Sequence, residues 1–333
     1  MSTPFGLESL DSGLDDALRQ GLERVEARLR DAVHSDEAVV GEAARHLVEA
    51  GGKRFRPVLS LLAAQYGDAT RLEVIEAAVV CEITHLATLY HDDVMDEAPL
   101  RRGAQSANVR WGNTVAILTG DFLFARASQL LSSLGPEAVR IQAETFEQLV
   151  TGLIRETVGP HDGQDPVAHY LQVVAEKTGS LIATSALFGA MFAGADPASQ
   201  QALQRFGAQI GIAFQLSDDI LDVAGIAEES GKAPGTDLRE GVLTLPVLMA
   251  LAVDDDAARE IRSLITPEQV ADGATDPVER ALDLLRTHEG MDLARGELAR
   301  VAAGARELLV LLPKGAATDA LAALTDVVVS RSV

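Results

Sequence analysis

The sequence predicts an all-α fold. Apolar residues recur at three- and four-residue spacing along most of the chain, as in Val74, Ala77, Ala78 and Cys81, which is the spacing of one helix face. Strict alternation at every second residue, the mark of a half-buried strand, is hard to find. Of the 333 residues 47% are hydrophobic and only 4% aromatic, enough for a sizeable aliphatic core. Disorder is therefore excluded for most of the chain.

Helix starts are marked by prolines that follow a polar residue. A capping side chain followed by proline at the first helical position is typical of a helix N-terminus. The predicted starts lie at Arg56-Pro57, Asp165-Pro166, Asp196-Pro197 and Asp276-Pro277. Because no long linker interrupts these helices, residues 15–330 are predicted to form one helical domain after a tail at 1–14. Residues 224–244 form the longest irregular stretch, and such loops often carry function.

The charge balance restricts the partners of the protein. The chain has 28 Lys and Arg against 50 Asp and Glu, a net charge of −22, so nucleic-acid binding is not expected. A single cysteine, Cys81, allows no internal disulfide and no cysteine-based metal site, which favours the reducing cytoplasm. Residues 1–30 lack the pattern of a secretory signal. Residues 178–195 carry no charge, but their Ser, Thr and Gly content favours a buried helix over stable membrane insertion.

Two aspartate clusters with the same spacing are the strongest chemical signal. Each follows an apolar helical run, and positions i, i+1 and i+4 bring three carboxylates onto one helical turn. The clusters are Asp92, Asp93 and Asp96, and Asp218, Asp219 and Asp222. Oxygen ligands at this density suit Mg²⁺, which completes its shell with water and phosphate oxygens. One cluster alone is more often a solvated helix end, whereas the repetition favours a metal site.

Basic residues concentrate at a few places in this acidic chain. Gly51-Gly52 precedes Lys53 and Arg56, and Arg101-Arg102 follows the first aspartate cluster. Exposed basic clusters are usually solubilising, but paired arginines beside glycines at a helix end also suit phosphate binding. Lys177-Thr178 and Lys232 are weaker signals on their own.

Together these segments resemble the trans-prenyltransferases, the polyprenyl diphosphate synthases. The resemblance rests on five motifs in the family's order, spread over most of the chain. They are GGKRFRP at 51–57, EITHLATLYHDDVMDEAPLRRG at 82–103, KTGS at 177–180, FQLSDDILD at 214–222 and GTDLREG at 235–241.

The resemblance implies an α-helical bundle around a deep central cavity, a homodimer and a head-to-tail condensation. The substrates are isopentenyl diphosphate and an allylic diphosphate, with two or three Mg²⁺ ions per active site. By this resemblance, all six aspartates are metal ligands. The catalytic residues are Asp92, Asp93, Asp96, Asp218, Lys177, Thr178 and Gln215. Residues that match the isopentenyl diphosphate site are Lys53, Arg56, His85 and Arg102. Those that match the allylic diphosphate site are Arg101, Lys177 and Lys232, while Thr178 and Gln215 match polar groups near the nascent carbocation.

One position departs from the family pattern. Many relatives carry a lysine where this chain has Val242, in the segment Gly241–Pro246. A valine cannot contact a diphosphate. Either Lys232 suffices, or the allylic substrate is held more loosely.

The length of the product depends on the residues one turn before the first aspartate cluster. Thr88 and Ala87 lie about 5.4 Å deeper along the predicted helix, and Thr84 follows on the same face. Family members with short products often have a bulky aromatic residue there, and this chain has none. We therefore expect a medium- to long-chain product, longer than fifteen carbons, of the kind used for quinone side chains or related isoprenoids.

Four other functions are weighed against this one. A geranylgeranyl-type synthase with a shorter product is the main alternative. A terpene cyclase needs no isopentenyl diphosphate site and has a different second metal motif. A regulatory subunit of a heteromeric synthase usually lacks metal ligands, all six of which are present here. A helical scaffold with acidic helix ends predicts no Mg²⁺-dependent release of diphosphate.

Overall fold

The computed structural model describes residues 11–225, 234–266 and 275–331, and helices dominate all three ranges. The helices of the first half are α1 (Ser12–Ala32), α2 (Ala38–Glu49), α3 (Phe55–Ala64), α4 (Leu72–Met95), α5 (Ala107–Trp111), α6 (Asn113–Leu134) and α7 (Pro136–Val158). Those of the second half are α8 (Pro166–Val174), α9 (Ser180–Ala193), α10 (Pro197–Ala224), α11 (Thr236–Arg239), α12 (Leu245–Ala252), α13 (Asp256–Leu264), α14 (Thr275–Thr287), α15 (Glu289–Leu308) and α16 (Ala316–Ser330). A π-helical turn, Ala175–Gly179, joins α8 to α9, and a 3₁₀ turn spans Leu309–Leu311. The predicted all-α fold is confirmed.

The chain groups into two compact units. Unit 1 comprises Met1–Glu147, Ser180–Gly207 and Glu307–Leu324, and unit 2 comprises Gln148–Gly179, Ala208–Arg306 and Thr325–Val333. The single domain predicted for residues 15–330 stays a prediction.

Helix α4 lies at the centre of unit 1, where it packs against α1, α3, α6 and α9. Its residues Ala77 to Thr84 are all buried, so this part of the helix is buried on every side, as expected for a core helix. Helices α3 and α9 approach closely because Gly189 has no side chain. A Cβ atom there would overlap the backbone of Ser60.

In unit 2, α12 packs against α8, α13 and α14, and α8 packs against the π-helical turn. Gly290 allows α15 to approach α12, because a Cβ atom there would lie 2.6 Å from the Ala250 nitrogen. None of the described helices is both long and apolar enough to cross a membrane. The uncharged stretch 178–195 instead contains the whole of helix α9, most of whose residues are buried.

Two of the four predicted helix starts are capped as expected, and the other two helices begin two residues before their proline. Asp165 accepts a hydrogen bond from the Val167 amide at 3.1 Å, and Asp196 accepts one from the Ala198 amide at 2.9 Å. Pro57 lies in the first turn of α3. The fourth helix begins at Thr275, two residues before Pro277, a difference within the usual uncertainty of helix ends.

A short hairpin between α4 and α5 has no counterpart in the sequence prediction. Strand β1 (Leu100–Arg101) pairs antiparallel with β2 (Ala104–Gln105). The two residues between the strands, Arg102 and Gly103, have φ angles of 54° and 76°, as in the tight turns that suit hairpins. Two-residue strands are too short to show a two-residue periodicity, which explains why they were missed.

Candidate active site

The first aspartate cluster lies at the C-terminal end of α4, in unit 1, where its three carboxylates have different surroundings. Asp93 is fully buried. It accepts a hydrogen bond from Arg101 Nε at 2.6 Å and one from the Ala107 amide at 3.5 Å. Asp92 is half-buried, and the side chain of Asp96 is 45% exposed, 3.7 Å from Arg101 Nη2. Asp92 and Asp96 are therefore the accessible members of this cluster.

Arg54, next to the predicted site residues, has a structural role. Its guanidinium donates hydrogen bonds to Glu26, to Glu82 at 3.0 Å and to the Val48 carbonyl at 3.0 Å. Two carboxylates neutralise its charge. Arg54 adopts a left-handed backbone conformation, with φ of 51°, that leads the Gly51-Gly52 loop into α3.

Arg102 holds the same loop from the hairpin. It donates hydrogen bonds to the Leu47 carbonyl at 3.0 Å and to the Gly51 carbonyl, and it lies 4.0 Å from Glu82. Gly52 packs on its guanidinium. The left-handed turn at Arg102 therefore brings two segments of the predicted isopentenyl diphosphate site together, although they are about fifty residues apart in sequence.

Arg56 and His85 give this basic cluster its unusual electrostatics. Burial lowers the pKa of Arg56 to about 10, so the side chain stays cationic at neutral pH. Its Nε atom is buried with no hydrogen-bond partner among the described residues. Burial, and then the charges of Arg56, Arg102, Arg101 and Arg54, hold the pKa of His85 well below its usual range. A cluster with this excess of positive charge favours an anion. Lys53 is exposed at its edge.

The three residues predicted to limit product length are all buried on α4. Ala87 is inaccessible, and Thr88 is 8% exposed. Thr88 Oγ1 donates a hydrogen bond to the His85 carbonyl at 2.7 Å. Thr84 Oγ1 donates to the Val80 carbonyl at 2.9 Å, which satisfies its own hydroxyl within the helix.

A polar layer crosses unit 1 at the depth of Thr84, and sequence reasoning missed it. Gln142 on α7 donates a hydrogen bond to Thr84 Oγ1 at 2.9 Å, and Thr145 on α7 lies 2.6 Å from Thr184 on α9. All four side chains are buried. The signal in the sequence was weak, because isolated Gln and Thr residues in helices usually face solvent.

The second aspartate cluster lies on the part of α10 that belongs to unit 2, and it also divides by burial. Asp219 is 3% exposed and accepts hydrogen bonds from the Tyr170 hydroxyl and from Gln215 Nε2, the latter at 2.8 Å. Burial, and then the charge of Asp237, raise the pKa of Asp219. Like the residues of the polar layer, Tyr170 was not indicated by the sequence.

The other two carboxylates of this cluster also have defined contacts. Asp222 is buried and accepts hydrogen bonds from the amides of Thr236 at 3.1 Å and Asp237 at 3.2 Å. It thereby fixes the start of α11. Asp218 is 37% exposed and lies 2.7 Å from Arg331 Nη2. Asp218 is therefore the most accessible carboxylate of the second cluster.

The π-helical turn carries Lys177 and Thr178. Lys177 Nζ lies 2.6 Å from Glu156 Oε2 on α7, and Thr178 Oγ1 donates a hydrogen bond to Gln215 Oε1 at 3.2 Å. Gln215 thus links Thr178 to Asp219, so three of the predicted residues form one network with Tyr170 in unit 2. Lys232 lies outside the described residues.

Val242, the departure from the family pattern, faces an apolar cavity. Its amide donates a hydrogen bond to the Asp237 carbonyl at 2.8 Å. Val242 lines a cavity of about 610 Å³ together with Val173, Leu248 and Tyr170. A hydrophobic side chain is what this environment accommodates best.

The donor set suits a hard divalent cation that shares its ligands with a substrate. Among residues 11–225, 234–266 and 275–331, no three acidic, His or Cys side chains form a complete metal site. Asp92 and Asp96 in unit 1 present accessible carboxylates, and so, separately, does Asp218 in unit 2. Mg²⁺ usually takes only one or two carboxylates, with phosphate and water oxygens filling the remaining positions. The residues present therefore fit a metal that binds with a diphosphate.

Comparisons with known proteins give consistent results. The family model of polyprenyl synthetase matches residues 37–284. A nonaprenyl diphosphate synthase of Mycobacterium tuberculosis is 50% identical over 98% of this chain and 97% of its own. A dimethylallyltranstransferase of the same organism is 41% identical over 94% of both chains. The crystal structure of geranylgeranyl pyrophosphate synthase from Corynebacterium glutamicum, complexed with calcium and isoprenyl diphosphate, is 46% identical, with a TM-score of 0.85 over 97% of this chain and 98% of its own.

Proposed function

The chain belongs to the polyprenyl synthetase family of prenyltransferases, and we propose that it is an all-trans polyprenyl diphosphate synthase. It condenses isopentenyl diphosphate head to tail with an allylic diphosphate in the presence of Mg²⁺. The observation that carries this proposal is the basic cluster of unit 1. Arg56, whose buried Nε atom has no hydrogen-bond partner among the described residues, lies in a group of arginines. Burial, and then the charges of this group, lower the pKa of His85. Such a cluster suits a diphosphate.

The two substrates use different residues. Lys53, Arg56, His85 and Arg102 hold isopentenyl diphosphate. His85 does so as a neutral imidazole, because its lowered pKa keeps it unprotonated at neutral pH. Residues that contact the allylic diphosphate are Arg101, Lys177 and Lys232.

Two or three Mg²⁺ ions per active site neutralise the charge that develops on the departing diphosphate when they are bound. In our proposal Asp92, Asp96 and Asp218, the accessible carboxylates, hold them directly. Asp93, Asp219 and Asp222 are buried and already accept hydrogen bonds. These three orient the helix ends and, through Arg101 and Gln215, the neighbouring substrate contacts. The calcium in the related Corynebacterium structure supports a divalent cation.

The reaction breaks one bond and forms another. The allylic C–O bond breaks heterolytically, and its electron pair leaves with the diphosphate. The double bond of isopentenyl diphosphate attacks the allylic cation, and a new C–C bond forms. Thr178 and Gln215 present oxygen atoms to the cation, an arrangement that stabilises positive charge as it develops. A proton then leaves the product, and the released diphosphate accepts it.

We propose a product longer than fifteen carbons. Ala87 and Thr88 are small, and no aromatic side chain occupies these positions on α4. The nonaprenyl product in the name of the Mycobacterium relative supports a long chain, whereas the Corynebacterium structure keeps a geranylgeranyl product as the alternative. Quinone side chains are one use for a long product.

We further propose a homodimer that works in the cytoplasm, without nucleic acid and without stable membrane insertion. Exposed apolar residues on α6 and the start of α7 support self-association, among them Leu118, 60% exposed, and Val139, 44% exposed. Large exposed apolar side chains that cluster often mark an interface. The only cysteine, Cys81, is a buried free thiol, which suits a reducing compartment. Light scattering of the purified protein measures the oligomeric state.

The function is tested with purified protein, isopentenyl diphosphate and one allylic primer at a time, namely geranyl, farnesyl or geranylgeranyl diphosphate. Products are dephosphorylated and separated by chromatography, with Mg²⁺ or with a chelator. We expect Mg²⁺-dependent medium- to long-chain products that extend beyond twenty carbons. A product that stops at twenty carbons supports the geranylgeranyl alternative. A cyclic product formed without isopentenyl diphosphate, or no product with any primer, contradicts the proposal.

A further inference from the structure

The π-helical turn Ala175–Gly179 positions two neighbouring side chains toward different helices. Lys177 contacts Glu156 on α7, whereas Thr178 contacts Gln215 on α10. A π-turn contains one more residue than a regular helical turn and is frequent at functional sites. The directions of the Lys177 and Thr178 side chains therefore depend on the position of the turn's backbone relative to α7 and α10.

Gly152 on α7 is the residue against which the turn packs. A Cβ atom at this position would lie 2.7 Å from the Lys177 nitrogen, 2.9 Å from Glu176 Cβ and 3.1 Å from the Glu176 carbonyl carbon. The first of these distances is too short for real Cβ atoms, and the atom it meets belongs to the backbone. Any side chain at position 152 would consequently push the turn away from α7.

The same face of α7 also supports the turn by charge. Arg155 and Glu156 follow Gly152 by three and four residues, so all three lie on one side of the helix. Arg155 Nε lies 3.0 Å from Glu176 Oε2, and Glu156 Oε2 lies 2.6 Å from Lys177 Nζ. Steric fit at Gly152 and two ion pairs thus act on two consecutive positions of one short turn, Glu176 and Lys177.

We propose that Gly152 is a positioning residue for the allylic diphosphate. Its missing side chain lets the π-helical turn lie against α7, which directs Lys177 to the diphosphate and Thr178 to Gln215. This inference rests on the proposed function, because it assigns Lys177 and Thr178 to the allylic substrate. It does not require Gly152 to touch a substrate itself.

The test compares Gly152→Ala with Gly296→Ala. Gly296 is an exposed helical glycine of α15, and a Cβ atom there would meet no atom within 4 Å. For Gly152→Ala we expect kcat/KM for the allylic diphosphate to fall by about 10- to 100-fold, as for a displacement of about 1 Å in a reactive group. The KM for isopentenyl diphosphate is expected to change by less than about twofold, because its proposed ligands lie in unit 1. Gly296→Ala should leave both parameters unchanged.

A second variant covers the case in which Gly152→Ala does not fold. Gly179 ends the π-helical turn, and a Cβ atom there would lie 3.3 Å from the Ala208 carbonyl oxygen on α10. This contact is tight but tolerable with a small shift. Gly179→Ala should therefore fold and should weaken use of the allylic diphosphate in the same direction, by a smaller factor.

Amide hydrogen exchange gives a readout that is independent of catalysis. Gly152→Ala is expected to speed exchange at residues 175–179, and Gly296→Ala is not. Equal losses for both substrates, or unchanged exchange and allylic kinetics in both turn variants, overturn the inference. If the wild-type protein forms no product at all, the proposed function fails instead, and the exchange measurement still decides whether Gly152 positions the turn.

Discussion

Asp93 and Asp96 are three residues apart at the end of α4, yet they lie in different environments. Asp93 is inaccessible and paired with Arg101, whereas the Asp96 side chain is 45% exposed. The repeated sequence motif predicted six equivalent metal ligands. The motif could not predict this difference in burial. Asp93 is covered by the hairpin and by α5, and the spacing of the aspartates contains no information about how those two elements fold back onto α4.

Replacement of the two carboxylates by amides should separate stability from catalysis. Asp93→Asn leaves Arg101 without its buried counter-charge, so we expect the free energy of unfolding to fall by about 3 kcal/mol. Asp96→Asn should change it by less than about 0.5 kcal/mol and lower the Mg²⁺-dependent rate on the order of 100-fold. Urea titrations and initial rates measure the two effects. Equal stability losses in both variants would contradict this assignment of roles.

His85 should make the stability of the protein sensitive to acid. Arg54, Arg56, Arg101 and Arg102 surround it and, after burial, hold its pKa well below 6.5. The folded protein therefore binds fewer protons at His85 than the unfolded chain, and stability is lost as the pH falls through the unfolded value near 6.5.

The size of this effect follows from the unfolded state. Between pH 7.5 and pH 5.5, His85 should cost about 1 kcal/mol of folding free energy. His85→Gln is expected to remove this part of the pH dependence in urea titrations. The control is His34→Gln, which replaces an exposed histidine and should leave the pH dependence unchanged. An unaltered slope for His85→Gln argues against a neutral His85 in the folded protein.

At the scale of elements, periodicity and capping residues predicted the long helices well. Asp165 and Asp196 cap α8 and α10 as expected, because these signals are local. The β-hairpin and the π-helical turn were not predicted. A strand of two residues has no measurable period, and one inserted residue in a helix leaves no compositional trace. Both elements carry predicted site residues, Arg101 and Lys177 among them, so local signals were weakest in the segments proposed to bind the allylic substrate.

Helix α4 connects the first aspartate cluster to the predicted limit on product length. Ala87→Phe places an aromatic ring one turn from Asp92, where we expect it to block the elongating chain and shorten the product. Leu86→Phe is the matched control, because it enlarges the neighbouring position about 100° around the same helix. Each variant also overpacks the core, at a cost of about 1 to 3 kcal/mol. Chromatography of the dephosphorylated products measures chain length. Unchanged products from a folded Ala87→Phe enzyme would show that the product does not pass this position.

At the scale of the whole molecule, the net charge of −22 has two physically different parts. Most of the acidic residues are dispersed over solvated helix faces, where salt screens their mutual repulsion. Asp92, Asp96 and Asp218 are instead the accessible carboxylates of the two aspartate clusters. The sequence indicated this contrast only through the repeated motif, since total charge alone argues against any phosphate-bearing ligand.

Thermal unfolding distinguishes the dispersed acidic residues from the accessible aspartates of the two clusters. At equal ionic strength, NaCl screens repulsion generally, whereas we expect MgCl₂ with inorganic pyrophosphate also to bind the folded state at the aspartates. A ligand at 100 times its Kd stabilises the folded state by about 2.7 kcal/mol, so we expect Tm to rise by several degrees more with Mg²⁺ and pyrophosphate than with NaCl. Asp96→Asn should retain the response to NaCl and lose most of the additional rise. The same additional rise in this variant would mean that the cations bind elsewhere on the acidic surface.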